Sequence, residues 1–297
     1  MWIILALLAA FFTSMTTILA KIGIKNVNSN FATLYRTGIV IIFAFIICLI
    51  TGTINTIPDL TIKNWCFLII SGIATVASWL CYYKAIKLGN INKVAPIDKS
   101  SFVLTSILFL IFFFNDTTNN GNALTIIMLV LSMILMLTGT LFMISKENGV
   151  EGDNNKWLIY AILSAVFASF VSFFVKLGLQ GIKSNVGTLL RTIIVFIFSL
   201  AIVLCRKDYK GAKNITASSW IFLTLSGIAT GASWLFEYKA LNFVNANPIA
   251  VNSIGKLSIL LTMLFSFLIL KEKFNKRSIL GLFLLTLGIV IIIIFSL

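Results

Sequence analysis

Eight basic side chains lie inside or at the ends of strongly apolar segments, where a charge needs water, a counter-ion or a ligand. They are Lys21, Arg36, Lys84, Lys99, Lys176, Arg191, Lys239 and Lys256. Acids that could neutralise them are scarce, because only Glu237 and Asp98 occur at a comparable depth in these segments. The excess of cations favours a binding site for an anionic group. The alternative is that long side chains near helix ends extend to the lipid headgroups.

Two of these lysines follow stretches that interrupt a helix. The fourth apolar segment begins with NKVAPIDKSS and the ninth with NPIAVNSIGKLS, and Lys99 corresponds to Lys256 if the second stretch carries two extra residues. Pro96 and Pro248 each remove a backbone donor and disfavour a helical conformation just before them. Paired interruptions are typical of binding sites in membrane carriers, and a helix start with a lysine suits a carboxylate or phosphate. A proline in the first turn of an ordinary buried helix is the alternative.

A polar stripe occurs twice on an otherwise apolar helix. The first copy consists of Ser71, Thr75, Ser78 and Tyr82, and the second of Ser226, Thr230, Ser233 and Glu237. The spacings of 4, 3 and 4 residues place each set on one helix face. With Trp79 and Trp234 beside it, the stripe predicts a cavity wall. Because Gly72, Ala74 and Ala77 are close by, a contact between helices through small residues is the alternative.

Enzymatic and metal chemistry find no support in the sequence. There is no histidine, which removes the usual proton relay and metal ligand. The four cysteines stand alone in apolar surroundings without metal-ligand spacing, and no nucleophile lies beside a base. We therefore expect no enzyme, no catalytic residue, no metal and no cofactor.

The elements that must position these residues are membrane-spanning helices. Apolar residues make up 59% of the chain and charged residues 11%, whereas soluble domains carry about 45–50% and 25%. The long runs are solidly apolar and lack the alternation of a β-barrel strand. They predict an all-α membrane protein with ten spans, near residues 2–24, 31–50, 65–88, 94–114, 123–145, 157–180, 187–205, 220–243, 248–270 and 279–296.

The ten spans consist of one five-span unit that occurs twice in the sequence. Residues 71–92 recur at 226–247 with 14 of 22 positions identical, and the same offset of 155 residues pairs Arg36 with Arg191. We therefore predict a first five-helix repeat over residues 1–150 and a second over residues 151–297. Because five is odd, the second repeat enters the membrane from the opposite side, which makes the repeats inverted.

Loop charge predicts the orientation, because Lys and Arg are retained on the cytoplasmic side of a membrane. Loops after odd-numbered spans hold thirteen Lys and Arg, whereas the loops on the other side hold only Lys63 and Lys183. Both termini should therefore lie outside. The net charge of +14 then reflects cytoplasmic lysines and arginines that anchor the protein beside anionic lipid, and it does not indicate nucleic-acid binding.

Several motifs carry a resemblance to a known family. The features that carry the resemblance are the two inverted sets of five spans, SGIAT-x-ASW-L with a following YKA, the KSS and KLS starts of the fourth and ninth spans, and the closing ILGLFLLTLGIVII. The chain resembles the drug/metabolite transporter superfamily, specifically its EamA-like ten-helix group. The resemblance covers essentially the whole chain and implies a secondary transporter of small solutes, which in relatives include amino acids, their metabolites and choline. Relatives in the four-helix multidrug branch rely on a glutamate in the first helix. Residues 11–19 contain no acid, so that mechanism is not expected here.

Three hypotheses for the function follow. The favoured one is a carrier or exchanger of amino acids or other carboxylate-bearing solutes, working by alternating access with its site at mid-membrane between the repeats. The second is a carrier of a choline-like amine that uses Glu237 and the Trp79 and Trp234 rings, and the third is a lipid-handling or structural membrane protein. We expect a multi-pass protein of the cell membrane, with the lipid bilayer and a small-molecule substrate as partners; a proton or another coupling ion stays open. The candidate substrate-binding residues are Lys99, Lys256, Glu237, Trp79, Trp234, Tyr82, Ser78, Ser233, Arg36 and Arg191.

Overall fold

The computed structural model describes residues 1–24, 27–88, 94, 97–98, 100–118, 121–142, 156–209, 215–270 and 276–295. Throughout this part of the chain the regular structure is helical and contains no strand. The α-helices are α1 (Trp2–Gly23), α2 (Ser29–Ile50), α3 (Ile62–Leu88), α4 (Ser101–Phe112), α5 (Phe114–Thr118), α6 (Ala123–Phe142), α7 (Lys156–Gly178), α8 (Ser184–Arg206), α9 (Ala217–Leu241), α10 (Pro248–Gly255), α11 (Leu257–Leu270) and α12 (Lys276–Phe295). A 3-10 helix, Thr53–Asp59, follows α2.

The predicted all-α membrane fold is confirmed. Nine helical segments of the described chain are long and apolar enough to cross a membrane, and the ninth predicted span is formed by α10 and α11 together. The shorter apolar helix α4 stands in the place of the predicted fourth span. Near the start of that span, residues 95, 96 and 99, which include Pro96 and Lys99, lie outside the described residues.

Helices of one half pack against helices of the other half. The most extensive contacts join α1 to α9, α3 to α7, α6 to α12 and α2 to α8. In the 155-residue register α1 is equivalent to α7, and α3 to α9, so the first two pairs are one contact formed twice. The architecture is therefore the two inverted repeats that the sequence predicts. The expected boundary at residue 150 lies outside the described residues.

Close contacts at small residues repeat with the same offset. A methyl group on Gly23 would lie 3.0 Å from Leu223, and one on Gly178 would lie 3.1 Å from Leu68. Each glycine lets two backbones approach closely, which is how helices associate in lipid. The packing of the two halves thus follows from glycines that the duplication kept in register.

Two polar contacts define the ends of the helix bundle. At one end, the Asp208 carboxylate accepts hydrogen bonds from the side-chain amides of Asn28 and Asn30 at 3.0 and 2.7 Å. At the other end, Lys63 Nζ donates to Gln180 Oε1 at 3.2 Å. We call these ends the Asp208 face and the Gln180 face. The first joins loops after odd-numbered spans and the second joins loops after even-numbered spans, as ten crossings require.

Topology can be tested directly. Because the loop cations divide thirteen to two, the Asp208 face should be cytoplasmic. We expect a reporter fused after Leu297 to read as extracytoplasmic, as should one inserted between α5 and α6. A reporter in the segment after α8 is the control and should read as cytoplasmic. The opposite pattern at all three sites would reverse the orientation and leave the inverted repeats intact.

Candidate functional site

A polar cavity lies where α1, α7 and α9 meet the junction of α10 and α11. It contains about 730 Å³ of empty space, including its open mouth. The polar side chains on its wall are Thr13, Ser172, Glu237, Asn252, Lys256 and Ser258. Without the open solvent at its mouth, the cavity volume is about 230 Å³, a little below the usual range for drug-sized ligands, so the cavity suits a small solute.

The depth of the cavity follows from α1. The end of α9 lies at the Gln180 face, because Lys176 Nζ donates to the Leu241 carbonyl and Asn242 donates to the Ile182 carbonyl at 2.8 Å. Since α1 runs antiparallel to α9, α1 starts at that face. The cavity wall runs from Ala6 to Thr13, which is about 6–16 Å along α1 at 1.5 Å per residue. The cavity therefore extends from near the Gln180 face to the middle of the bundle.

Lys256 lies at a break in the ninth span. Asn247 caps α10 by accepting from the backbone nitrogens of Ile249 and Ala250, and Pro248 takes the first helical position, which is the ordinary arrangement. The break comes eight residues later, where Lys256 N bonds to Ser253 O at 2.9 Å and Ile259 N bonds to Lys256 O at 3.0 Å. These three-residue spacings interrupt the α-helical pattern. Lys256 thus lines the cavity from an interrupted helix, whereas its predicted counterpart Lys99 lies outside the described residues.

The second copy of the polar stripe is both a helix contact and a cavity wall. Ser226 Oγ donates to Thr16 O at 2.8 Å, and Ser233 Oγ donates to Ala9 O at 3.0 Å, so these serines fasten α9 to α1. The stripe ends at Glu237, which is half-buried and lines the cavity. The cations whose charges act on its carboxylate are Lys256 and Arg191. Both interpretations of the stripe therefore apply, each to a different part of it.

Arg191 brings Trp234 into the same region. Its guanidinium carbon lies 4.8 Å from the Trp234 ring centroid and 5.6 Å from that of Tyr238, within the range of a cation–π contact. Arg191 Nη2 donates to Thr75 Oγ1 at 2.7 Å, while its buried Nε and Nη1 have no hydrogen-bond partner among the described residues. The buried Arg191 guanidinium adds to the positive charge beside Glu237.

The other candidates lie elsewhere. Arg36, the equivalent of Arg191, donates from Nη2 to Thr230 Oγ1 at 2.9 Å. Trp79 lines a small separate pocket with Asn30 and Ser199, toward the Asp208 face. Tyr82 packs against an apolar cluster, and Ser78 hydrogen-bonds to Ser164. Among the described residues, the first-half candidates Arg36, Ser78, Trp79 and Tyr82 therefore do not line the cavity that Glu237 and Lys256 line.

Asn252 is a cavity residue that sequence reasoning missed. Its side-chain nitrogen Nδ2 is buried and has no hydrogen-bond partner within the described chain. A spacing of four residues places Asn252 on the same helix face as Lys256, and this spacing was the available signal. The site thus offers an ammonium, an amide donor and a carboxylate within one cavity.

Comparisons with known proteins agree with this architecture. A family model described as the EamA-like transporter family matches residues 1–138 and again residues 155–294. A protein of Sinorhizobium sp. named "Uncharacterized transporter in cobO 3'region" is 38% identical over 142 residues, which are 48% of this chain and 99% of that protein. A solved crystal structure of another protein matches with a TM-score of 0.72 at 13% identity, covering 97% of this chain and 94% of that one. The last comparison shows a shared fold.

Proposed function

The chain belongs to the EamA-like transporter family, and we propose that it carries an amino acid or a similar carboxylate-bearing metabolite by alternating access. It is a multi-pass membrane transporter. The proposed binding site is the cavity lined by Glu237, Asn252 and Lys256.

The observation that carries the proposal is the pairing of opposite charges in one cavity. Lys256 Nζ can donate to a carboxylate, as can Asn252 Nδ2, which has no hydrogen-bond partner among the described residues. Charge-assisted hydrogen bonds of this kind are strong. Glu237, on another helix, can accept from an ammonium group. A zwitterionic amino acid would satisfy both ends, whereas a simple carboxylate would use only the first.

Alternating access is supported by the two inverted repeats. The cavity extends toward the Gln180 face, while on the Asp208 face Asn28 and Asn30 fasten the loop that contains Asp208. In carriers built from inverted repeats, the site is exposed to each side in turn as one repeat moves against the other. We infer that this conformation is closed at the Asp208 face.

A carrier of small organic cations is the second candidate, and Glu237 is the observation that favours it. A choline-like amine would need an acid together with free aromatic faces. Arg191 lies against the Trp234 ring, however, and Trp79 lines a different pocket. The cavity therefore offers less free aromatic surface for an amine than the sequence indicates.

A ligand screen separates the two candidates. We expect zwitterionic amino acids to raise the melting temperature of the detergent-purified protein, because a ligand that binds only the folded state stabilises it. Choline should have little effect. The Lys256→Gln variant is the control and should lose the response to amino acids while remaining folded. Stabilisation by choline that survives Lys256→Gln would favour the organic-cation carrier instead.

A further inference from the structure

The first half contains a counterpart of the cavity. The 155-residue offset maps Ala6 to Ala161, Ala9 to Ser164 and Glu237 to Tyr82. Since α7 ends at the Gln180 face, Ala161 near its start lies toward the Asp208 face. The counterpart thus occupies the opposite half of the bundle.

This counterpart is filled with side chains. Ala85, Val94 and Ala161 form a buried apolar cluster. The side chains packed against it are Tyr82, Ile97, Trp157 and Tyr160. Ile97 takes the position that corresponds to Asn252, whose amide lines the open cavity. The same fold element is therefore open in one repeat and closed in the other.

A serine on α7 links the closed counterpart to an acid. Ser164 is fully buried, and its hydroxyl donates to Asp98 Oδ1 at 2.7 Å. It also lies 3.1 Å from Ser78 O, and Ser78 Oγ donates back to Ser164 O at 3.1 Å. In the open half the equivalent residue is Ala9, which has no hydroxyl. The Ser164–Asp98 contact therefore belongs to the closed half alone.

We propose that Asp98 is a substrate-binding residue of the opposite-facing state, and that the Ser164–Asp98 hydrogen bond keeps its site closed in the conformation described here. This inference rests on the proposed alternating-access function. When the repeats exchange conformations, the cluster around Ala161 opens toward the Asp208 face and Asp98 lines the new cavity. In that state Asp98 lies on the path between the central site and the Asp208 face, where its carboxylate can contact the ammonium group of the substrate.

The distribution of acids between the repeats fits this exchange. The residue equivalent to Glu237 is the uncharged Tyr82, so an open first-half cavity would lack a carboxylate unless another residue supplied it. Asp98 is half-buried beside that cluster, and a carboxylate at such depth is costly unless it is hydrogen-bonded or hydrated. Ser164 satisfies it in the closed form, and water or the substrate ammonium would satisfy it in the open form.

Cysteine accessibility tests the proposal without knowledge of the substrate. Ala161→Cys is treated in sealed membranes with a membrane-impermeant maleimide from either side, and mass spectrometry reads its labelling separately from that of the native cysteines. We expect Ser164→Ala to speed labelling from the Asp208 face by about ten- to 100-fold, the effect of losing one hydrogen bond to a charged group. The substitution should fold, because Ala9 occupies the equivalent position.

The matched control is Ser169→Ala on the same helix. Ser169 is also buried, but its hydroxyl donates to Val166 O within α7 and bonds to no other helix in the described part of the chain. A second variant, Asp98→Cys, removes the carboxylate and should itself be labelled from the Asp208 face. Equal labelling of Ala161→Cys in the Ser164→Ala and Ser169→Ala backgrounds, or labelling from the Gln180 face alone, would overturn the proposal. Faster labelling in a protein that binds no amino acid would instead contradict only the proposed substrate.

Discussion

Replacing Gly139 by alanine should cost about 3 kcal/mol of folding free energy, at the upper end for overpacking a tight contact. A methyl group at this position would lie 2.5 Å from the Gly281 carbonyl oxygen and 2.6 Å from the Leu285 backbone nitrogen. Both neighbours are backbone atoms, so α6 and α12 must move apart to admit it. The measurement is the melting temperature of the detergent-purified protein.

The matched control is Gly38→Ala, in the interior of α2. Of the residues that the structure describes, a methyl group there would meet only the Phe196 ring, at 3.4 Å, and a ring edge can yield by a few tenths of an ångström. We expect a change below about 1 kcal/mol. Gly288→Ala should behave like Gly139→Ala, because its methyl group would lie 2.8 Å from the Ser132 carbonyl oxygen. Similar melting temperatures for the Gly139 and Gly38 variants would show that α6 and α12 are not in such close contact.

The fold could be predicted from the sequence because lipid leaves few alternatives. A backbone in hydrocarbon must satisfy its own hydrogen bonds, so solidly apolar runs become helices. The duplication also predicts that contacts between the two halves occur in equivalent pairs. Arg36 bonds to Thr230 and Arg191 to Thr75, and the same offset relates the two arginines and the two threonines. What the offset did not reveal is that the ninth span breaks at Lys256, eight residues beyond Pro248.

Of the described residues predicted for the site, only residues of the second half line the cavity. Glu237 and Lys256 were identifiable as charges in apolar surroundings, and both line the cavity. Tyr82 was predicted as a member of the first polar stripe and Trp79 as its neighbour, yet Trp79 lies in another pocket and Tyr82 in a closed cluster. Equal sequence does not give equal surroundings, because one conformation of an inverted-repeat protein opens only one of its two halves.

Glu237→Gln should reduce the affinity for an amino acid by about 30-fold or more, with little loss of stability. Removing one member of a desolvated, hydrogen-bonded charge pair costs about 2–5 kcal/mol of binding free energy, and tenfold in affinity corresponds to about 1.4 kcal/mol. Glu237 lines a cavity, so in the empty protein water can solvate a glutamine there. The measurements are the dissociation constant, from the thermal response to added amino acid, and the melting temperature without ligand.

The competing role for Glu237 is to neutralise Lys256 and Arg191, the two cations whose charges act on it. In that case Glu237→Gln would leave buried positive charge uncompensated and destabilise the protein by about 3–5 kcal/mol. The double variant with Lys256→Met would then recover much of the loss, because removing the cation removes the need for the acid. If Glu237 is instead a ligand, the single variant keeps its melting temperature and the two changes act independently on stability. Recovery of stability in the double variant, with amino acid affinity intact, would make Glu237 a structural counter-ion and leave Lys256 without a role in binding.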